Sequence, residues 1–211
     1  MTPAPGALQT LAPLLARRSV SPKRLLAPGP DAAALELMLR AALTAPDHGG
    51  LHPWRVIEFP AEDRGALADA FEREKLRRDP LAGAADRLRA RDHALGPPAL
   101  LGFVVSPQAA RLVPAREQWL SAGAALGNLL NAAHQLGFGA MVLSGERCFD
   151  AALAQELGVQ APEELVGFVS LGTVGRTRPG APRPSPQAVW SRWPPAAEQP
   201  ALHQASSQRV P

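Results

Sequence analysis

The chain contains no tyrosine and a single cysteine, Cys148. The first absence excludes a tyrosine proton donor. The second excludes an intrachain disulfide, and a lone thiol suits a reducing cytoplasm. Aromatic residues make up 5% of the chain, and they do not interleave with basic residues as a base-stacking surface requires. No apolar run approaches the length of a membrane span. Leu8–Ala16 is too short for a secretory signal and has no basic flank before it; Arg17–Arg18 is not followed by the apolar run of a twin-arginine signal. No G-x-S-x-G surrounds a serine, and Cys148 has no evident activator. Gly137–Phe138–Gly139 follows a helix rather than a strand, so it makes no Rossmann fingerprint. The sequence therefore assigns no catalytic side chain. If the chain is an enzyme, a cofactor does the chemistry, and the protein supplies orientation and electrostatics.

What is present suits one globular domain with a tail. The 211 residues are enough for a single core, and 46% are hydrophobic. The 23 prolines are unevenly spread. From Pro179 onward a run rich in Pro, Ser, Gln and Ala cannot form a core of its own. This predicts a domain over residues 1–180 and an extension over 181–211, with disorder after Pro194. The pI near 9.9 reflects a net charge of only +3. The basic clusters Arg73–Lys75–Arg77–Arg78 and Arg87–Arg89–Arg91 are interleaved with Glu72, Glu74, Asp79, Asp86 and Asp92, which reads as a solvated helix face and not as a nucleic-acid interface.

The apolar pattern places helices over Ala7–Ala16, interrupted by Pro13, and from an Asp31 N-cap through Leu43. Further helices are predicted at about Glu62–Arg78, Ala84–Ala94, Glu117–Leu136 and Phe149–Leu157. Strands are predicted at Arg55–Phe59, Ala99–Val105, Ala140–Leu143 and Leu165–Leu171. The helix from Glu117 is apolar on nearly every face, so part of its cover is expected from a second subunit. Strands separated by helices indicate layered α/β packing without fixing the topology.

Four motifs then occur in order. Arg17–Arg18–Ser19 follows the first helix. Ala45–Pro46–Asp47–His48 is followed at short range by His52–Pro53–Trp54. Gly137–Phe138–Gly139 leads to Leu143–Ser144–Gly145. Gly167–Phe168 runs to Leu171–Gly172–Thr173, with Arg176 and Arg178 beyond. Together, over residues 8 to 180, they resemble the nitroreductase family, and most closely its short branch with Arg-Arg-Ser and Pro-Asp-His.

That resemblance implies an α+β sandwich, a mixed and mainly antiparallel sheet flanked by helices. It implies a homodimer that holds FMN at the subunit interface and passes electrons from NADH or NADPH to a small organic acceptor. The C-terminal segment would extend onto the partner, with Ala188–Trp193 as a crossing strand. Arg17, Arg18 (partly through its backbone), Ser19, Arg176 and Arg178 resemble the grip on the FMN phosphate and ribityl chain; an arginine fork suits a phosphate. His48, His52 and Pro53 resemble the flavin cradle, with His48 reaching from the partner subunit. Leu143, Ser144 and Gly145 resemble the backbone loop beside N5 and O4 of the ring. The acceptor pocket is expected to involve residues 60–95.

Two departures stand out. Where many relatives carry a lysine near the flavin N1 and O2, this chain has Ser21, with Lys23 and Arg24 close by. The usual asparagine of the second motif is missing too. Other readings remain open. His48 and His52 have a zinc-like spacing of four, although Gly49, Gly50 and Pro53 disfavour a helix and no glutamate accompanies them. An FMN-binding sensor or carrier with little turnover would show the same motifs. Arg17–Arg18 could instead simply favour a helix dipole.

Overall fold

The computed structural model describes residues 6–109, 112–176 and 181–193. They fall into two bodies, one within residues 1–177 and a short one within 178–211. The first body is built on strands β1 (Leu25–Leu26), β2 (Trp54–Glu58), β3 (Ala99–Val105), β4 (Phe138–Leu143) and β5 (Glu164–Val174). β5 is central: β4 pairs along one side, β3 and then β1 along the other, and β2 forms the far edge beyond β3. Every pairing among the described residues is antiparallel, so a parallel member of the expected mixed sheet is not supplied by these residues.

Side chains alternate across a strand, and β3 uses both faces. Leu101, Phe103 and Val105 join Val169, Leu171 and Ala140 against α2 (Ala32–Ala42) and α5 (Ala115–Gln135). On the other face Leu100, Val104, Leu165 and Phe168 meet Leu67, Phe71, Ala94 and Leu153, from α3 (Arg64–Arg78), α4 (Ala84–Leu95) and α6 (Ala151–Glu156). The result is a helix–sheet–helix sandwich of the α+β class. Asp31 caps α2 by accepting from Ala34 N at 2.8 Å, and Asp150 caps α6 by accepting from Leu153 N at 2.6 Å.

Several elements differ from expectation for local reasons. α1 (Ala7–Ala16) runs through Pro13 without a break, and none of its residues is buried. The predicted helix from Phe149 divides into a 3-10 turn, Glu146–Phe149, and α6. β4 begins at Phe138, absorbing Gly139 of the glycine motif. A Cβ on Gly139 would lie 2.8 Å from both Leu25 Cδ2 and Val174 Cγ2, so only glycine lets the segment after α1 cross there. Within the chain, α5 remains partly uncovered: Trp119 is 38% and Leu120 72% exposed.

In the second body Pro186–Ala188 forms a 3-10 turn. The strand expected over Ala188–Trp193 is not formed among the described residues. A strand needs a paired neighbour for its backbone groups, and the described residues of this body offer none. The residues after Pro194, for which the composition predicts disorder, lie outside the described residues, as does Arg178.

Candidate functional site

The segment that follows α1 is held against the start of β4, where Val20 N donates to Ala140 O at 2.9 Å. It then turns through Pro22–Arg24 into β1, whose Leu25 pairs with Val174 of β5. Gly175 N donates to Arg24 O at 3.0 Å. These bonds place Val20, which follows Arg17–Arg18–Ser19, beside β4, and Arg24 beside Gly175, the residue before Arg176. Arg18 uses its guanidinium locally, donating to Leu15 O at 3.3 Å and Arg17 O at 3.1 Å at the end of α1. Its side chain therefore caps the helix, which suits a backbone role more than a phosphate clamp.

The other end of β4 carries Leu143–Ser144–Gly145. From Ala140 to Leu143 is three residues, about 10 Å at the rise of an antiparallel strand. Here a cavity of about 420 Å³ opens, with Leu143, Ser144 and Gly145 on its wall. Phe71, Val142 and Phe168 give it apolar surface; Arg78, His93 and Arg147 give it donors. A second cavity of about 790 Å³ shares Ser144 and Cys148 and reaches Trp119. A Cβ on Gly145 would meet nothing within 4 Å, so the backbone faces open space there. α3 and α4, from the region expected to form the acceptor pocket, thus line the first cavity through Phe71, Arg78 and His93.

The predicted cradle lies elsewhere. His48, His52 and Pro53 precede β2, on the sheet edge opposite β4. Three strand spacings, about 14 Å, separate those edges. His48 Nδ1 sits 2.8 Å from Glu117 Oε2 of α5. His52 takes a positive φ of 47°, held by its N–H donating to Asp47 Oδ2 at 2.6 Å. A left-handed conformation in a non-glycine residue is uncommon and must be enforced by such contacts. Among the described residues, no cluster of three His, Cys, Asp or Glu is placed to hold a metal ion. Within one chain Leu143–Gly145 end the edge strand β4, to which Val20 is bonded, while His48, His52 and Pro53 precede β2 at the other edge.

The sequence reading missed a buried charge cluster beside the first cavity. The charge pattern puts Glu74 on a solvated face, yet its side chain is 0% exposed. It accepts from Arg78 Nε at 2.7 Å and from Arg147 Nε at 3.0 Å. The reason is geometric: Glu74 lies on the side of α3 that faces the loop after β4, one turn from Phe71. The Arg147 guanidinium lies 3.9 Å from the Phe71 ring centroid and reaches His93 Nδ1 at 3.3 Å. Burial pushes the Glu74 carboxyl up, but its bonds to Arg78 and Arg147 outweigh this and hold it below the usual carboxylate range. Desolvation of its ring, with Arg147 nearby, pushes His93 down, although the residue as a whole is exposed. The i,i+4 spacing of Glu74 and Arg78 was a signal for the pair but not for its burial. The other basic residues of α3 and α4 largely spend their charge on ion pairs, as Arg73–Glu156, Arg77–Asp150 and Arg91–Asp69 do.

The fold is thus a three-layer α+β sandwich with an open cavity at one end of an edge strand. The chain belongs to the nitroreductase family, whose model matches residues 14–173, and it is accordingly an oxidoreductase of the nitroreductase type. It is 34% identical over 155 residues to the "Putative NAD(P)H nitroreductase" of Haemophilus influenzae, covering 72% of this chain and 83% of that protein. Its fold matches the nitroreductase-like family protein from Bacillus cereus with a TM-score of 0.73 at 20% identity, over 91% of this chain and 97% of that one. It also matches the NADPH:FMN oxidoreductase from Vibrio harveyi, solved with NAD+, with a TM-score of 0.68 at 17% identity, over 92% and 80% of the two chains. No described helix is long and apolar enough to cross a membrane.

Proposed function

We propose that the protein is an FMN-dependent enzyme that passes electrons from NADH or NADPH to a nitroaromatic, a quinone or a similar flat acceptor, with donor and acceptor using one site in turn. Bound FMN would accept a hydride from the nicotinamide and hand the electrons on. What supports this reading is membership of the nitroreductase family together with the open cavity at Leu143–Gly145, whose lining joins apolar surface to cationic donors. Arg17 and Arg176 would hold the phosphate with Ser19 beside them, Arg178 completing the group from outside the described residues. Ser144 and Gly145 would present backbone to the ring.

The same reading requires two copies of the chain. His48, His52 and Pro53 precede the strand at the sheet edge opposite β4, and they would reach the flavin from the partner. The exposed apolar residues of α1 and α5 supply surface for such a contact. The C-terminal segment would lie on the partner. The one cysteine of the chain, Cys148, is buried, which suits a cytoplasmic enzyme.

The phosphate assignment is tested by FMN titration of Arg17→Ala. Loss of a charge-assisted fork should weaken FMN binding by roughly tenfold or more. Unchanged affinity would remove Arg17 from the site. An FMN-loaded protein that fails to oxidise either nicotinamide would point instead to a sensor or carrier.

A further inference from the structure

The position that carries a lysine in many relatives is Ser21 here, and Ser21 precedes the 3-10 turn Pro22–Arg24. The question is what other positive charge this chain offers the ring. The first cavity answers it. Leu143, Ser144 and Gly145 form one wall, and Arg78, Arg147 and His93 line the same space. Arg78 and Arg147 share one buried counter-charge, Glu74. A second carboxylate, Glu146, meets Arg78 at 2.9 Å, but its side chain is 76% exposed and water screens it. Glu146 lines the same cavity, so Arg78 faces two carboxylates there, whereas Arg147 faces only the shared one, Glu74.

Arg147 is the better placed of the two. Its side chain is 13% exposed against 35% for Arg78. Its plane is fixed by Glu74 on Nε, by His93 on Nη1 and by the Phe71 ring. Among the described residues Arg147 Nη2 has no acceptor, so the guanidinium keeps a donor to offer. His93 accepts from Arg147 through Nδ1, which leaves its proton on Nε2 as a second, uncharged donor. Lys23 lies close enough for its charge to act on His93. It stands on the same side of the fold, at the surface.

We infer that Arg147, oriented by Glu74, His93 and Phe71, supplies from the Leu143–Gly145 side a positive charge that stabilises the flavin ring in its reduced, negatively charged form. This rests on the flavin reading above and assigns it a residue from the α3–β4 side of the fold. Two-electron reduction by hydride adds one negative charge to the ring, and no proton transfer to Arg147 is involved. Arg147 is then a binding residue whose charge favours reduced over oxidised FMN, and Glu74 is a positioning residue that offsets it. Their removal must move the reduction potential in opposite directions.

The test measures the midpoint potential of the FMN-loaded protein, by equilibrium reduction against a reference dye, for wild type, R147Q, E74Q and R73Q. R147Q should bind reduced FMN about tenfold more weakly relative to oxidised FMN, a fall of about 30 mV for a two-electron couple. E74Q uncovers the positive charge and should raise the potential by a comparable amount. R73Q, whose exposed pair with Glu156 lies outside the cavity lining, should change it less than threefold in relative affinity. If R147Q does not fold, E74Q and the double variant E74Q/R147Q carry the test, and the double should return near wild type. Shifts of the same sign in R147Q and E74Q, or shifts below threefold in both, would overturn the inference while leaving the flavin site standing. A protein that takes up no FMN would overturn the flavin reading and this inference together.

Discussion

Replacing Arg147 by glutamine takes one of two guanidinium partners from a carboxylate with no access to water. Stripping a buried charge of its partner costs about 3–5 kcal/mol. Glu74 keeps Arg78 at 2.7 Å, so about half of that is expected, roughly 2 kcal/mol. Losing the cation from the Phe71 ring, 3.9 Å away, adds about 1 kcal/mol. The total of about 3 kcal/mol corresponds to a fall in Tm of roughly 6–12 °C for a domain of this size. E74Q should cost about 2 kcal/mol for the opposite reason, two guanidinium groups left without their shared anion. Because both singles leave an uncompensated charge, the double variant should be more stable than their sum by at least about 1 kcal/mol. The assay is urea unfolding of flavin-free protein at one fixed protein concentration, since cofactor and partner both shift apparent stability. The Glu74 carboxyl is held below its ordinary range. Its stabilising contribution is therefore present above the unfolded pKa of about 4.5 and is lost as pH falls through the folded value. R147Q should have a shallower acid arm than wild type. Singles costing under about 0.5 kcal/mol, the range of an ordinary surface change, or a strictly additive double, would refute the claim that these three residues form one buried unit.

Two further outcomes follow from groups on the same cavity wall. His93 has its pKa lowered by desolvation of its ring and by Arg147, so the unfolded chain binds its proton more readily. Stability should fall as pH drops below about 6.5 and stay flat above it; H93F should remove that slope, and superimposable pH profiles for the two proteins would contradict the desolvation argument. Cys148 is buried, and burial raises its thiol pKa. It should react slowly with a disulfide reagent in the folded protein and fully in denaturant, whereas a rapid native-state reaction would show that the thiol is open to solvent.

The parts of the fold that could be read from the sequence were those where one local rule dominates. β3 is a bounded apolar run and emerges over the expected residues, Ala99–Val105. Asp31 caps α2 as its side-chain chemistry predicts. What could not be read depended on distant chain. β1 is two residues long and exists because β5 extends to Val174 and offers it an edge. β4 starts early because Gly139 admits the segment after α1, a contact between residues far apart in sequence. The four motifs are legible as an ordered set, and the fold puts Val20, just after the first, on β4 and Leu143 at the end of that strand. Their division between two sheet edges was not legible, since it follows from strand order. The Glu74 cluster was hidden for a related reason. Alternating charges on a helix read as a solvated face, and only the packing of α3 under the loop after β4 makes Glu74 an interior residue.

The central claim is tested most directly by the visible absorption spectrum of the purified protein, taken before and after anaerobic addition of NADH or NADPH. The account predicts flavin bands near about 450 nm that bleach with at least one nicotinamide, because the cofactor must accept its hydride. A colourless protein that also fails to take up added FMN would contradict it.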